Sequence, residues 1–299
     1  MPRPEHNQVE HLIRIRRRRA VAAAIVTLVL AAGLIALLGS HHGGGASQTT
    51  ARVARPRRAH AAVPATIVDP QKARERAVNA VLAYTPFVKQ GSTAKRDVAL
   101  TFDDGPGPYT PQVLSVLERF HVRATFFVIG EMLRYFSASA LREIRDGDAI
   151  GDHTETHPEM AKLSAHDQHE QLFEQIARIE LLDGPRPDLF RPPYGSFNAT
   201  TLRQLHHLHL LMVLWSADTD DYLQPGVPTI VERALAAARP GAILLLHDAG
   251  GDRTQTIAAL PGIIRGLRAR GLRIVTVPQL LADDPPPHGE PIPPNLSGD

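Results

Sequence analysis

No cysteine occurs anywhere in the 299 residues. Disulfides and thiolate metal sites are therefore excluded, and any bound metal must be held by His, Asp or Glu. Charge is missing from one long stretch. Ala20 to Gly39 carries none, and Thr27 is its one side-chain hydrogen-bonding group. Lysine is absent from the first sixty residues, which hold ten arginines and two glutamates, about +8. The formal net charge of +2 then leaves about −6 for the remainder. The sequence pI near 9.1 is a property of the head, and it does not support nucleic-acid binding by the body.

The apolar stretch matches a bilayer-spanning helix at about 1.5 Å rise per residue. Arg14 and Arg16 to Arg19 precede it, which predicts a cytoplasmic N-terminus and an exported body. Ser40-His41-His42 follows in place of a small-residue cleavage site. An uncleaved single-pass anchor in the cell membrane is thus favoured over secretion after cleavage. The chain divides into a basic head (1–19), the signal-anchor (20–39), a flexible basic linker (40–66), a lead-in segment (67–94), the body (95–282) and a Pro-rich tail (283–299) that reads as disordered or PPII-like.

Within the body, strand and helix patterns alternate. Strands are expected at Val98–Phe102, Ala124–Ile129, Ala149-Ile150, Leu189-Phe190, Leu210–Trp215, Ala242–Leu246 and Arg273–Val277. Thr110-Pro111 reads as N-cap and first residue of a helix. Ser164 and Asp167 resemble a capping box. Further helices fit near 199–208, 228–239 and 255–270, and a short one within 70–88. Repeated βα units imply an α/β fold with a parallel sheet or barrel, in which chemistry gathers at the C-terminal ends of the strands.

The polar motifs fall at those ends. Thr101-Phe102-Asp103-Asp104-Gly105-Pro106 closes the first strand with adjacent carboxylates, an arrangement that repels itself unless a cation is present. Asp152-His153-Thr154-Glu155-Thr156-His157-Pro158 follows the third; a His pair four residues apart can converge on a metal from a turn or single helical turn. Phe190-Arg191-Pro192-Pro193-Tyr194-Gly195 is a stiff loop that can hold Arg191 and the Tyr194 amide rigidly. Trp215-Ser216-Ala217-Asp218-Thr219-Asp220-Asp221-Tyr222 reads either as a solvated acidic loop or as part of the same rim. Leu244-Leu245-Leu246-His247-Asp248 ends the sixth strand.

The ordered set TFDDGP, HTETH, RPPYG, WSADTDD and LLLHD resembles the polysaccharide deacetylase family, the NodB-homology domain of carbohydrate esterase family 4, over about residues 95–282. The resemblance implies a distorted (β/α) barrel, preceded here by the transmembrane helix, and metal-dependent removal of N-acetyl groups from amino-sugar polymers. It implies Asp104, His153 and His157 as metal ligands, Asp103 as general base and His247 as general acid. It places Arg191 on Asp103, Asp218 behind the histidine, the Tyr194 amide in an oxyanion hole, Leu246 against the acetyl methyl and Trp215 among the substrate-lining residues. Tyr222 departs from the tryptophan that relatives often carry there.

A divalent metal suits the reaction because an amide carbonyl is a poor electrophile. His₂Asp favours zinc, with cobalt, nickel or manganese compatible. The expected partners are a polysaccharide, with peptidoglycan favoured and chitin-like oligomers possible, and membrane lipid through the N-terminal helix. No nucleic-acid partner is expected. The alternatives are an O-deacetylase of acetylated xylan or a similar polymer, and a non-catalytic glycan-binding protein.

Overall fold

The computed structural model describes residues 70–294. The expected head, signal-anchor and linker lie outside the described residues. Among the described residues, nine strands and eight α-helices follow one another in a βα rhythm. The strands are β1 (Phe87–Val88), β2 (Asp97–Asp103), β3 (Thr125–Val128), β4 (Ala149–Asp152), β5 (Leu189–Phe190), β6 (Leu211–Val213), β7 (Ala217–Asp218), β8 (Ile243–His247) and β9 (Arg273–Val275). The helices are α1 (Pro70–Leu82), α2 (Thr110–Arg119), α3 (Leu133–Asp146), α4 (Ala165–Leu181), α5 (Ala199–Leu208), α6 (Val227–Ala237), α7 (Thr254–Ala269) and α8 (Val277–Asp283).

All named strand pairs are parallel, in the order β1-β6-β5-β4-β3-β2-β8-β7, with β9 beside the start of β2. The path ends at β1 and β7, so the expected barrel is a curled, open sheet. The lead-in is part of this sheet rather than a preface to it, because β1 pairs with β6.

Side chains sort by strand alternation. On β2, Val98, Leu100 and Phe102 join an outer core with α2, α3, α6 and α7, where Phe102 stacks on Phe126 at 5.2 Å. Ala99 faces the other way, into an inner core with Phe127, Leu189, Val213 and Ile243. Val78 and Val81 of α1 and Leu280 and Leu281 of α8 belong to that inner core. A third cluster packs α4 and α5 against β5 and β6 through Leu172, Ile176, Leu205, Phe190 and Met212.

Several local expectations meet a different structure. Thr110 does not cap α2. Its hydroxyl accepts from the Gly107 N–H at 2.7 Å and donates to Asp248, tying two site loops together. Helix α3 begins without a capping side chain at Met132, buries Ser139 and Glu143, and kinks at Phe136. The last expected strand stops at Val275, since Val277-Pro278 opens α8 with Thr276 as N-cap. The start of the tail is tied down rather than loose: Tyr84 donates to the Pro286 carbonyl at 2.8 Å and stacks on His288 at 3.8 Å. Ser164 does cap α4, accepting from the Asp167 N–H.

Phe126 is fully buried between sheet and helices. Phe126→Ala is expected to cost about 3–5 kcal/mol of unfolding free energy, checked by urea denaturation.

Candidate active site

Strand β2 carries Thr101 and Asp103 on the inner face, at the carboxyl end of the sheet. Arg191 follows β5 and lies across this end, with no solvent exposure. Its Nη1 donates to Asp103 Oδ1 and to Thr101 Oγ1, both at 2.8 Å. Its Nε and Nη2 donate to the carbonyls of Val213 (3.0 Å) and Leu214 (3.2 Å). The guanidinium rests 4.1 Å from the Phe127 ring centroid and 5.7 Å from that of Trp215. Burial lowers the Arg191 pKa, while the charge and hydrogen bond of Asp103 oppose the shift. A guanidinium has ample margin to stay charged at neutral pH.

Asp104, His153 and His157 bring one ligand atom each within 4.8 Å of one another. Asp104 Oδ1 is 3.1 Å from His157 Nε2 and 3.6 Å from His153 Nε2. Ligands of one tetrahedral zinc at about 2.1 Å stand roughly 3.4 Å apart, so this set fits such an ion. His153 Nδ1 lies 2.7 Å from the Arg191 carbonyl. A carbonyl only accepts, so Nδ1 carries the proton and Nε2 is left for a metal. Burial alone would raise the Asp104 pKa, but hydrogen bonds to both histidines hold it well below the usual carboxylate range.

The two histidines do not share a helical turn. Asp104 (φ 72°), Thr154 (φ 69°) and His157 (φ 60°) all take left-handed backbone, and this folds the loop back on itself. The Thr154 N–H donates to Asp152 Oδ1 at 2.7 Å, and the His157 N–H to Thr154 Oγ1 at 2.9 Å. Helix α4 clamps the same loop. Gln171 Oε1 accepts from the Thr156 N–H at 2.9 Å, and Arg178 Nε donates to Glu155 Oε1 at 2.5 Å. Gly250 (φ 74°) approaches from the loop after β8; a Cβ there would stand 2.3 Å from Asp104 Oδ2.

His247 ends β8 beside Asp103, which it pairs in register. Its Nδ1 lies 2.7 Å from Asp221 Oδ1, and its backbone N–H donates to Asp221 Oδ2 at 2.9 Å. Thr256 Oγ1, at the start of α7, donates to Asp221 Oδ2 at 2.6 Å. Burial would lower the His247 pKa, but the hydrogen bond and charge of Asp221, with Asp104 and Asp103, raise it to about 9.

Two expected residues are corrected here. The acid behind His247 is Asp221, not Asp218, because the loop turns through Asp220 (φ 49°) and carries the later aspartate under the imidazole. Asp218 accepts from the Asp220 N–H at 2.9 Å and sits in register with Leu245. Leu246 is fully buried in the outer core with Leu244, paired with Phe102. Strand alternation puts Leu245 on the face of His247 instead. The Asp218-x-x-Asp221 spacing and the period of two were both readable signals for these residues.

Tyr194 has φ 58° and is 59% exposed, with its ring edge-on to His157 at 4.7 Å. No acceptor among the described residues takes its backbone N–H. Trp215 is half-buried and packs into the inner and third cores. Tyr222 meets the His247 ring edge at 5.4 Å and is 46% exposed. The two exposed tyrosines contact the two opposed histidine groups.

A family profile described as polysaccharide deacetylase matches residues 90–213. The chain is 39% identical over 195 residues to a peptidoglycan-N-acetylglucosamine deacetylase of Bacillus cereus, covering 62% of this chain and 87% of that one. It is 37% identical over 211 residues to a chitooligosaccharide deacetylase of Sinorhizobium fredii, covering 66% and 98%. A crystal structure of a peptidoglycan N-acetylglucosamine deacetylase superposes with a TM-score of 0.64 at 34% identity, covering 68% of this chain and 95% of that one.

Asp221→Asn removes the charge that raises the His247 pKa. The histidine should then titrate well below 9, toward the ordinary value near 6.5. The stabilisation it draws from protonation is complete below its unfolded pKa and is lost as pH rises through the folded one. The substitution should therefore leave thermal stability less dependent on pH between those values. Imidazole NMR titration and melting curves across pH check both. Gly250→Ala should displace Asp104 and weaken metal binding, measured by calorimetry with zinc.

Proposed function

The chain belongs to the polysaccharide deacetylase family, and from that premise we propose that it removes N-acetyl groups from an N-acetylglucosamine-containing polysaccharide of the cell envelope, with peptidoglycan as the favoured substrate. The observation that carries this reading is the opposition of two built groups across one rim. Arg191 holds Asp103 on one flank, Asp221 holds His247 on the other, and the Asp104-His153-His157 set joins them.

Asp104, His153 and His157 would hold the divalent metal, with zinc best suited to the donors. When bound, it supplies Lewis-acid polarisation of the acetyl carbonyl and acidification of water. Asp103, fixed by Arg191, removes the proton from the attacking water at its free carboxylate oxygen. The unpaired Tyr194 N–H is available to the oxygen on which charge develops. His247 is protonated at neutral pH and gives its proton from Nε2 to the departing amine, since Nδ1 is engaged by Asp221. Leu245, on the face of His247 and Asp103, is placed to meet the acetyl methyl. The exposed rings of Tyr194 and Tyr222 offer flat surfaces for sugar packing on either side.

Location supports peptidoglycan over a soluble glycan. The uncharged run Ala20–Gly39 behind Arg14 and Arg16 to Arg19 supports an anchor with the catalytic domain outside the membrane, at the envelope. No helix among the described residues is long and apolar enough to cross a membrane. The anchor is thus assigned to residues 20–39 on sequence alone.

The test is acetate release from peptidoglycan, chitin oligomers and acetylated xylan. Release from the amino-sugar polymers is expected, and release from xylan alone would overturn the assignment. Asp104→Ala should abolish both metal binding and release, whereas Asp103→Asn should lose at least about 10²-fold in kcat while still binding metal. Leu245→Ala should raise KM for the acetylated substrate; Leu246→Ala should cost stability, about 2–5 kcal/mol, read by denaturant titration.

A further inference from the structure

The end of the sheet opposite the candidate active site is basic, although the body as a whole is acidic. Arg96 immediately precedes β2, Arg119 closes α2, Arg265 and Arg268 lie in the last turns of α7, and Arg270 follows that helix. All five are exposed. They fall in two groups that meet at the end of α7. Arg119 and Arg265 stand 5.3 and 5.8 Å from the Phe120 ring centroid, and Arg268 donates to the Phe120 carbonyl at 2.6 Å. Arg96 donates to the carbonyls of Gly271 and Arg270, and Arg270 to that of Leu235.

Arginine at a helix C-terminus is ordinary, because it complements the helix dipole and caps carbonyls. Carbonyls do not neutralise charge, however. Among the described residues no carboxylate lies within ion-pair distance of any of these five. The acids nearby are already taken: Glu118 and Asp146 by Arg142, and Asp97 by Arg273. At the other end of the strands Asp103, Asp220 and Asp221 are matched by Arg191, Arg233 and His247. The unmatched arginines are thus a feature of this end.

Helix α1 also packs at the basic end. Arg74, in the second turn of α1, donates to the carbonyl of Gly147 at 2.7 Å, in the turn between α3 and β4. Helix α1, the first described element, is thus held at the end on which the arginines lie. We propose that this arginine face is a docking surface for an anionic phospholipid leaflet, seating the domain with its catalytic rim turned away from the membrane. The proposal rests on the anchored reading above. The tether brings the face to the membrane, and unpaired surface arginines are attracted to anionic headgroups within a Debye length.

The absence of cysteine makes a clean test possible. The full chain is reconstituted in vesicles of phosphatidylcholine alone or mixed with phosphatidylglycerol, each with a headgroup-linked quencher. A fluorophore is placed through Ala269→Cys on the arginine face, or through Glu131→Cys on the catalytic side. Both positions are exposed. Quenching at position 269 should be severalfold stronger in the anionic vesicles, should fall with added salt, and should be absent at position 131. Combined R96Q, R119Q, R265Q, R268Q and R270Q substitution should remove the difference and leave turnover of a soluble chitin oligomer unchanged. The salt response of the unsubstituted chain reads the same contact should that variant fold poorly.

Quenching at 269 that ignores lipid charge overturns the proposal. Protection of that site by soluble polyphosphate, without quenching by anionic vesicles, replaces lipid with an anionic polymer. Flotation with neutral vesicles at high salt reads the anchor separately. If the chain floats there without charge-dependent quenching, the anchor stands and the docking surface fails. If it floats only with anionic vesicles and the five-arginine variant does not, the anchor fails and the docking surface stands.

Discussion

The buried Arg191–Asp103 pair is the constraint on which the rest of the site depends. Two charges taken out of water are costly, and the pair is tolerable only when the remaining donors are satisfied. Here Thr101, Val213 and Leu214 accept three further Arg191 N–H groups, and two aromatic rings cover the guanidinium. Those partners come from β2 and the end of β6, so the curl of the sheet is what brings them together. The same residue's carbonyl orients His153. One arginine therefore sets both the proposed base and one proposed metal ligand, and removing either partner would leave a buried charge uncompensated, a cost of about 3–5 kcal/mol.

The opposite flank is built by the same logic with a weaker cation. Asp221 accepts from the His247 backbone, its imidazole and Thr256. These three bonds fix the ring and hold its proton at neutral pH. The separation of roles among carboxylates follows from partners rather than from residue type. Asp103 faces a fixed guanidinium, Asp104 faces two imidazoles, and Asp221 faces a third imidazole from behind.

Much of this was legible before any coordinates. The near-continuous apolar runs at β2, β3 and β8 marked the central strands, because a sheet covered on both faces buries side chains at nearly every position. The motifs at their ends named Asp103, Asp104, His153, His157, Arg191 and His247, and the fold gathers all six. Helix α3 was not legible, since no side chain caps its start at Met132 and its backbone kinks at Phe136. Nor was the pairing of β1 with β6, because two-residue strands leave no periodic signal. Asp221 escaped because three acids in four residues read alike until the backbone turn at Asp220 separates them.

By itself, the sequence determined the chemistry available: no thiolates, two adjacent carboxylates, a spaced pair of histidines, a charge-free span behind a basic head, and a βα rhythm that sends polar motifs to one end of a sheet. Only the tertiary structure decided which neighbour does what. Whether Leu245 or Leu246 meets the site depends on strand phase relative to His247, and whether Asp218 or Asp221 supports that histidine depends on left-handed turns in a loop. The two histidines converge through positive φ at Thr154 and His157, not through helical spacing. The gathering of unpaired arginines at the far end depends on which helix ends meet. Each of these is a matter of direction in space, and residue order constrains direction only after the sheet has curled and its loops have been clamped.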